Sequence, residues 1–140
     1  MNKCRWVVAS IVVAVVTTLL EFAFHGILLK DAYQATAAIW RPQAEMMRLM
    51  PLGWLTTLFI SFILVYIYHR GYEGRGKPVV EGVRFGFWIG LFMGVPASVW
   101  TYIMVPMPAN LALSWFFISM VDFLVAGLII GLIYRPKVVI

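Results

Sequence analysis

The sequence predicts an all-α integral membrane fold: four spanning helices in an up-down bundle, a short helical segment on the outer surface, and both termini in the cytoplasm. Three observations predict it. Of the 140 residues 63% are apolar and only 12% charged, about half the charge of an ordinary soluble domain. The apolar residues fall into four stretches, residues 6–29, 51–68, 83–105 and 111–134, each near the roughly 20 residues that cross a bilayer as a helix. The basic residues gather on one side of the resulting topology. These stretches and their connections use up the chain, so residues 1–140 form a single domain.

The first stretch is broken only by Thr17, Thr18, Glu21 and His25. Lys3 and Arg5 ahead of it resemble the start of a signal peptide. The apolar run is too long for one and has no small-x-small site, so it reads as an uncleaved span. The second stretch opens on Pro51, a residue favoured in the first turn of a helix. Between them, Ala32 to Trp40 holds good helix formers. Arg41-Pro42 then interrupts, because the residue before proline is pushed out of the helical region, and Gln43 to Met50 is expected to form a second short surface helix. The third and fourth stretches are joined at Val105 to Asn110, a tight outer turn with two prolines and no charge. The inner connection, Gly71 to Pro78, is glycine-rich but lacks both the spacing and the preceding strand of a phosphate-binding loop. It reads as a hairpin connection.

Orientation follows from the loops. Lys3, Arg5, Arg70, Arg75, Lys77, Arg84, Arg135 and Lys137 lie on one side, against Lys30, Arg41 and Arg48 on the other. The positive-inside rule places the richer side, with both termini, in the cytoplasm, and the protein in the cytoplasmic (inner) membrane. The net charge of +5 therefore suits anionic lipid head groups rather than nucleic acid. Trp40, Trp54, Trp100, Tyr33 and Tyr102 fall at the outer interface, and Trp6, Tyr66, Tyr68 and Tyr134 at the inner one, as aromatic belts. The lone Cys4 excludes an internal disulfide and a multi-cysteine metal cluster.

Span three carries Gly86, Gly90 and Gly94 at four-residue spacing, with Ala97 and Thr101 continuing the row. Such a zipper of small residues lets two membrane helices approach backbone to backbone. Gly127 and Gly131 of span four lie at the depth of Gly86 and Gly90, so spans three and four are expected to pack tightly. At 100° per residue Gly127 lies about 140° and Gly131 about 180° from Asp122. Asp122 then faces span one or another subunit, which suggests a homo-oligomer or a complex with other membrane subunits.

Ionisable groups inside a bilayer are costly and persist with partners and a role. Glu21 and His25, four apart, share a helix face. Glu21 lies roughly 13 Å from the outer end of its span and Asp122 roughly 18 Å from the outer end of its own. The first and last helices of an up-down bundle are commonly neighbours. Glu21, His25 and Asp122 are therefore expected to form one intramembrane polar cluster, with Ser119, Thr17 and Thr18 as hydrogen-bond partners. Three roles compete for it: a structural tie, a proton or cation relay, and a metal site. For the last, His25 with Met104 and Met107, near Met46, Met47 and Met50, offers the soft donors that suit copper, although methionine is also ordinary bilayer filler. The two histidines, His25 and His69, lie at opposite ends of their spans and cannot share one haem iron. No nucleophile–base pair, zinc motif or dinucleotide fingerprint is visible, so no cofactor and no catalytic residue is assigned.

The stretch EFAFHGILLKDAY from Glu21 to Tyr33, the AIWRP that follows from Ala38, and the closing GLIYRP from Gly131 resemble a family of small uncharacterised four-span proteins of bacterial membranes. The resemblance runs the whole length and implies a fold and a location but no activity. The expected function is that of a non-enzymatic structural or accessory subunit. A small proton-coupled or cation transporter using Glu21, His25 and Asp122 is the alternative, and an outer-face copper-binding protein the third.

Overall fold

The computed structural model describes residues 2–74 and 76–134. Arg75, Arg135 and Lys137, counted above among the basic residues of the inner side, lie outside the described residues. The described chain is helical: α1 (Lys3–Glu21), a π-helical segment (Phe22–Leu28), α2 (Lys30–Ala35), a 3₁₀ turn (Ala37–Ile39), α3 (Gln43–Gly71), α4 (Pro78–Met104) and α5 (Ala109–Ile133). Four helices, α1 with its π segment, α3, α4 and α5, are long and apolar enough to cross a membrane.

Each start has a local cause. Asn2 caps α1 by accepting a hydrogen bond from the Arg5 amide at 3.1 Å, which satisfies one of the free amides of the first turn. Pro42 precedes α3, and Pro78 opens α4 where a missing N–H matters least. One expectation is corrected. Gln43–Met50 is not a separate surface helix, and Pro51 does not start a span. A single helix runs through Pro51 from Gln43 to Gly71. The proline gives up its own amide bond and crowds the carbonyl of the preceding turn, yet the helix continues on both sides of it. Pro96 lies inside α4 in the same way.

The helices pack in the order α3, α1, α5, α4, with the α4–α5 contact the most extensive. Its cause is glycine. Gly82, Gly86, Gly90 and Gly94 are buried in a row on α4. A Cβ on Gly82 would overlap the Gly127 carbonyl oxygen and lie 2.9 Å from the Gly131 Cα, and one on Gly127 would lie 2.9 Å from the Gly86 Cα. The two backbones are therefore in direct contact there. Towards the other end the gap widens enough to admit side chains: the position of a Cβ on Gly90 lies 3.0 Å from the Met120 sulfur, and on Gly94 3.2 Å from the Ser119 Cβ. The row begins one turn earlier than expected, at Gly82. It also continues through buried Ser98, whereas Ala97 is exposed and Thr101 bonds the Ala97 carbonyl of its own helix.

Two apolar cores result. At the end where Asn2 approaches the Tyr134 hydroxyl, the inner side of the charge pattern, Ala9 and Val13 pack with Leu64, Val65, Tyr68, Ala126, Ile130 and Tyr134. Tyr68 and Tyr134, expected in an aromatic belt, are instead 3% and 1% exposed and belong to this core. Tyr68 donates to the Pro78 carbonyl at 3.2 Å and packs on Phe85, which brings α3 and α4 together at this end. Beside it the buried Glu81 carboxylate accepts from the Gly76 amide at 2.8 Å and the Gly74 amide at 3.4 Å, folding the inner loop back onto α4. Gly74 adopts a φ of 66°, a left-handed conformation that favours glycine. At the opposite end Met107, Leu111 and Ala112 pack with Leu29, Tyr33, Ile39, Trp40 and Trp115. Between the two cores lies a polar layer.

Candidate functional site

The polar layer begins where α1 changes geometry. Glu21 is the last α-helical residue, and the backbone then continues with π-helical bonding, closed by Leu29 N–H donating to the Phe24 carbonyl at 2.8 Å. A π segment winds fewer turns over the same residues, and such segments recur at functional sites. Gly26 lies within it, where a Cβ would press on the Phe22 ring at 3.3 Å. The chain then turns at Leu29, and α2 folds back so that Tyr33 reaches His25.

A continuous polar chain results. Trp115 Nε1 donates to the Tyr33 hydroxyl at 2.7 Å. The Tyr33 oxygen lies 2.5 Å from His25 Nδ1. His25 Nε2 lies 3.3 Å from a Glu21 carboxylate oxygen. An indole only donates, so Tyr33 accepts from Trp115 and donates its own proton to Nδ1. The network thereby assigns the remaining imidazole proton to Nε2, facing Glu21. Tyr33 is held as a neutral phenol: burial pushes it up to about 12, the Trp115 bond works against this, and Glu21 adds the smallest effect, again upward.

Asp122 completes the layer from α5. It is 7% exposed and interacts with the Glu21 carboxyl across the α1–α5 contact. Neither of its oxygens, both shut away from solvent, makes a hydrogen bond of normal geometry. Trp115 stands seven residues before Asp122, two turns away on the same face of α5. The pair Trp115 and Asp122 thus meets His25 of the π segment and Glu21 of α1. The aromatic groups pack around the outer link, His25 on Trp115 and Tyr33 on Trp40 edge to face and Trp40 stacked on Trp115. His25 lies 5.8 Å from Trp115, Tyr33 5.7 Å from Trp40 and Trp40 5.8 Å from Trp115, ring centre to ring centre. Trp40 is itself fixed by donating to Thr36 Oγ1 at 2.9 Å.

Of the residues expected to cluster, the structure brings Glu21, His25 and Asp122 together. Ser119 is not part of the group: its Cβ packs against Gly94 of α4, about 60° around the helix from Asp122. Thr17 donates to the Val13 carbonyl of its own helix at 2.8 Å, and Thr18 lines a shallow recess with Trp54 of α3. The copper candidates are dispersed. Met104 is 78% exposed, Met107 is buried in the outer apolar core, and both ring nitrogens of His25 are engaged. Met46, Met47 and Met50 lie exposed along the first turns of α3. Among the described residues no three His, Cys, Asp or Glu side chains are grouped to hold a metal.

The residues that sequence reasoning missed are Tyr33, Trp115, Trp40 and, at the inner end, Glu81 and Gly82. The seven-residue spacing of Trp115 and Asp122 was a readable signal, as was the four-residue spacing of Gly82 and Gly86. The reversal at Leu29 that delivers Tyr33 was not. Comparison of the chain with protein-family models, with curated proteins and with solved structures finds no match, so the reading of this site rests on its own geometry.

Proposed function

We propose that this chain is a non-enzymatic integral protein of the cytoplasmic (inner) membrane, with both termini cytoplasmic, that acts as a structural or accessory subunit of a homo-oligomer or of a larger membrane complex. One observation carries the reading. The Glu21 side chain is 50% exposed at the level of Asp122, beside the exposed apolar Leu19 and Phe22. A carboxyl facing acyl chains costs several kcal/mol by most estimates. A neighbouring helix that covers Glu21 removes that cost. Within the subunit the same layer joins α1 to α5, while glycine contact joins α5 to α4.

The test is the mass of the particle after gentle extraction into nanodiscs, with cross-linking in intact membranes as a control. The expected result is an assembly heavier than the 15.9 kDa chain, weakened when Glu21 is replaced by Leu. A monomer in both preparations ends the proposal. Reporter fusions before Lys3 and in the inner loop after Gly71 test the topology, and both are expected on the cytoplasmic side.

A further inference from the structure

We propose that Glu21 and Asp122 form a proton-binding site within the spanning region, loaded from the outer end through Tyr33 and His25 and closed towards the inner end. The inference rests on the membrane reading above but not on the subunit's assembly.

The route is built of groups that both give and take protons. Tyr33 lies 2.5 Å from His25 Nδ1, and His25 Nε2 lies 3.3 Å from Glu21, which interacts with Asp122. Trp115 only donates, so it anchors the Tyr33 oxygen and is not a carrier. The imidazole is 28% exposed and lies three residues before the outer end of its span at Leu28, so the proposed entry is from that end. Below Asp122 the route stops. Val13, Ala126 and Ile130 are at most 2% exposed and offer no acceptor. The nearby hydroxyls of Ser10 and Thr17 donate to the Trp6 and Val13 carbonyls of their own helix, each at 2.8 Å. A proton that enters from the outer end is therefore held at the carboxyl pair.

The transfer balances. A proton accepted at Nδ1 from water or from Tyr33 makes an imidazolium. Its Nε2 proton passes to Glu21, leaving a neutral ring protonated on Nδ1 and a neutral Glu21. Water returns a proton to Tyr33 where Tyr33 was the donor. Two facing carboxyls in a site of low polarity share one proton in preference to bearing two charges. Few other groups act on them. His25 faces them from the π segment and Tyr33 from α2, whose first turn also holds Lys30 and Asp31. Asp122 is the only charged residue of α5, and α3 presents Trp54 to this part of α1.

The experiment is infrared difference spectroscopy of the full chain in oriented vesicles, labelled with ¹³C at Asp and Glu carboxyls, after a pH step applied to one side at a time. The expected result is a protonated-carboxyl band that appears after an acid step on the outer side and not after one on the inner side. Glu21→Gln and Asp122→Asn should each lose the shared-proton band. Tyr33→Phe and His25→Phe should keep it but slow its appearance by roughly a hundredfold, the lower range for a positioned proton carrier. The wild-type measurement needs no substitution, so a variant that fails to fold leaves the test intact. A band indifferent to pH, or one that responds equally from both sides, overturns the proposal. Particle mass recorded on the same sample separates the two readings: a monomer with outer-sided proton uptake defeats only the subunit reading, and an assembly without uptake defeats only this one.

Discussion

The Trp115 indole donates to the Tyr33 hydroxyl at 2.7 Å, a bond spanning 82 residues of sequence. It fixes the returning α2 to α5 and, through Tyr33, fixes the ring of His25. Tyr33→Phe removes the oxygen at the centre of this junction and leaves His25 Nδ1 and Trp115 Nε1 without their partner. A buried polar group left unpaired costs about 1–3 kcal/mol. The variant is expected to lose stability in that range in a denaturing-detergent titration, and Trp115→Phe to lose less, because it leaves the Tyr33–His25 bond in place.

The raised Tyr33 pKa makes a prediction about alkaline pH. The folded protein holds the phenol proton up to about 12, against the ordinary value of 10.0. Between those values the unfolded chain binds fewer protons than the folded one, so stability must fall as pH rises. The contribution is complete below about pH 10 and is lost on approach to about pH 12. Unfolding midpoints measured across that window should decline, and the decline should be shallower in Tyr33→Phe. Tyrosinate absorbance of this variant should show one fewer late-titrating residue than that of the wild type.

Gly82, Gly86 and Gly127 answer differently from Gly53. A Cβ at the first three meets backbone of the facing helix, which cannot step aside, whereas at Gly53 nothing lies within 4 Å. Gly86→Leu and Gly127→Leu should separate α4 from α5, with losses of about 1–3 kcal/mol or more, as overpacking generally gives. Gly53→Ala should stabilise α3 by about 0.5–1 kcal/mol, since alanine gives up less backbone freedom in a helix. Unfolding curves of the variants decide both, and equal effects at Gly53 and Gly86 would contradict the packing described.

Glu81→Gln tests the inner loop. The carboxylate accepts from both Gly74 and Gly76. The amide can accept with only one of its two terminal atoms, so one loop N–H is released. Faster hydrogen exchange at Gly74 or Gly76, with α4 itself still protected, is the expected outcome. Unchanged exchange at both glycines would mean that the carboxylate does not hold the loop.

The sequence read well wherever one dimension was enough. Apolar run length marks α1 together with its π segment, α4 and α5 to within five residues at each end. The spacing of Gly86 and Gly90, with Gly127 and Gly131, marks the α4–α5 contact, and the angle between Gly127 and Asp122 turns the carboxylate away from α4. Where it misled, the physics lay in neighbours. Pro51 suggested a helix start because proline suits a first turn, but the helix continues on both sides of it. Tyr68 and Tyr134 suggested a belt because tyrosine favours interfaces, but their rings fill the inner core. Ser119 was grouped with Asp122 by depth, although its own helix turns it towards Gly94.

Four apolar helices, their order along the chain and the small-residue face of α4 are properties of local composition and period, and the sequence alone determined them. The polar layer is of another kind. Tyr33, His25, Glu21, Trp115 and Asp122 come from four elements, α2, the π segment, α1 and α5, and their union depends on a π-helical stretch and a turn at Leu29. Neither has a one-dimensional signature: a single added residue per turn leaves the apolar pattern unchanged while it swings every later side chain to a new bearing. Only the packed helices decided which of these groups would touch.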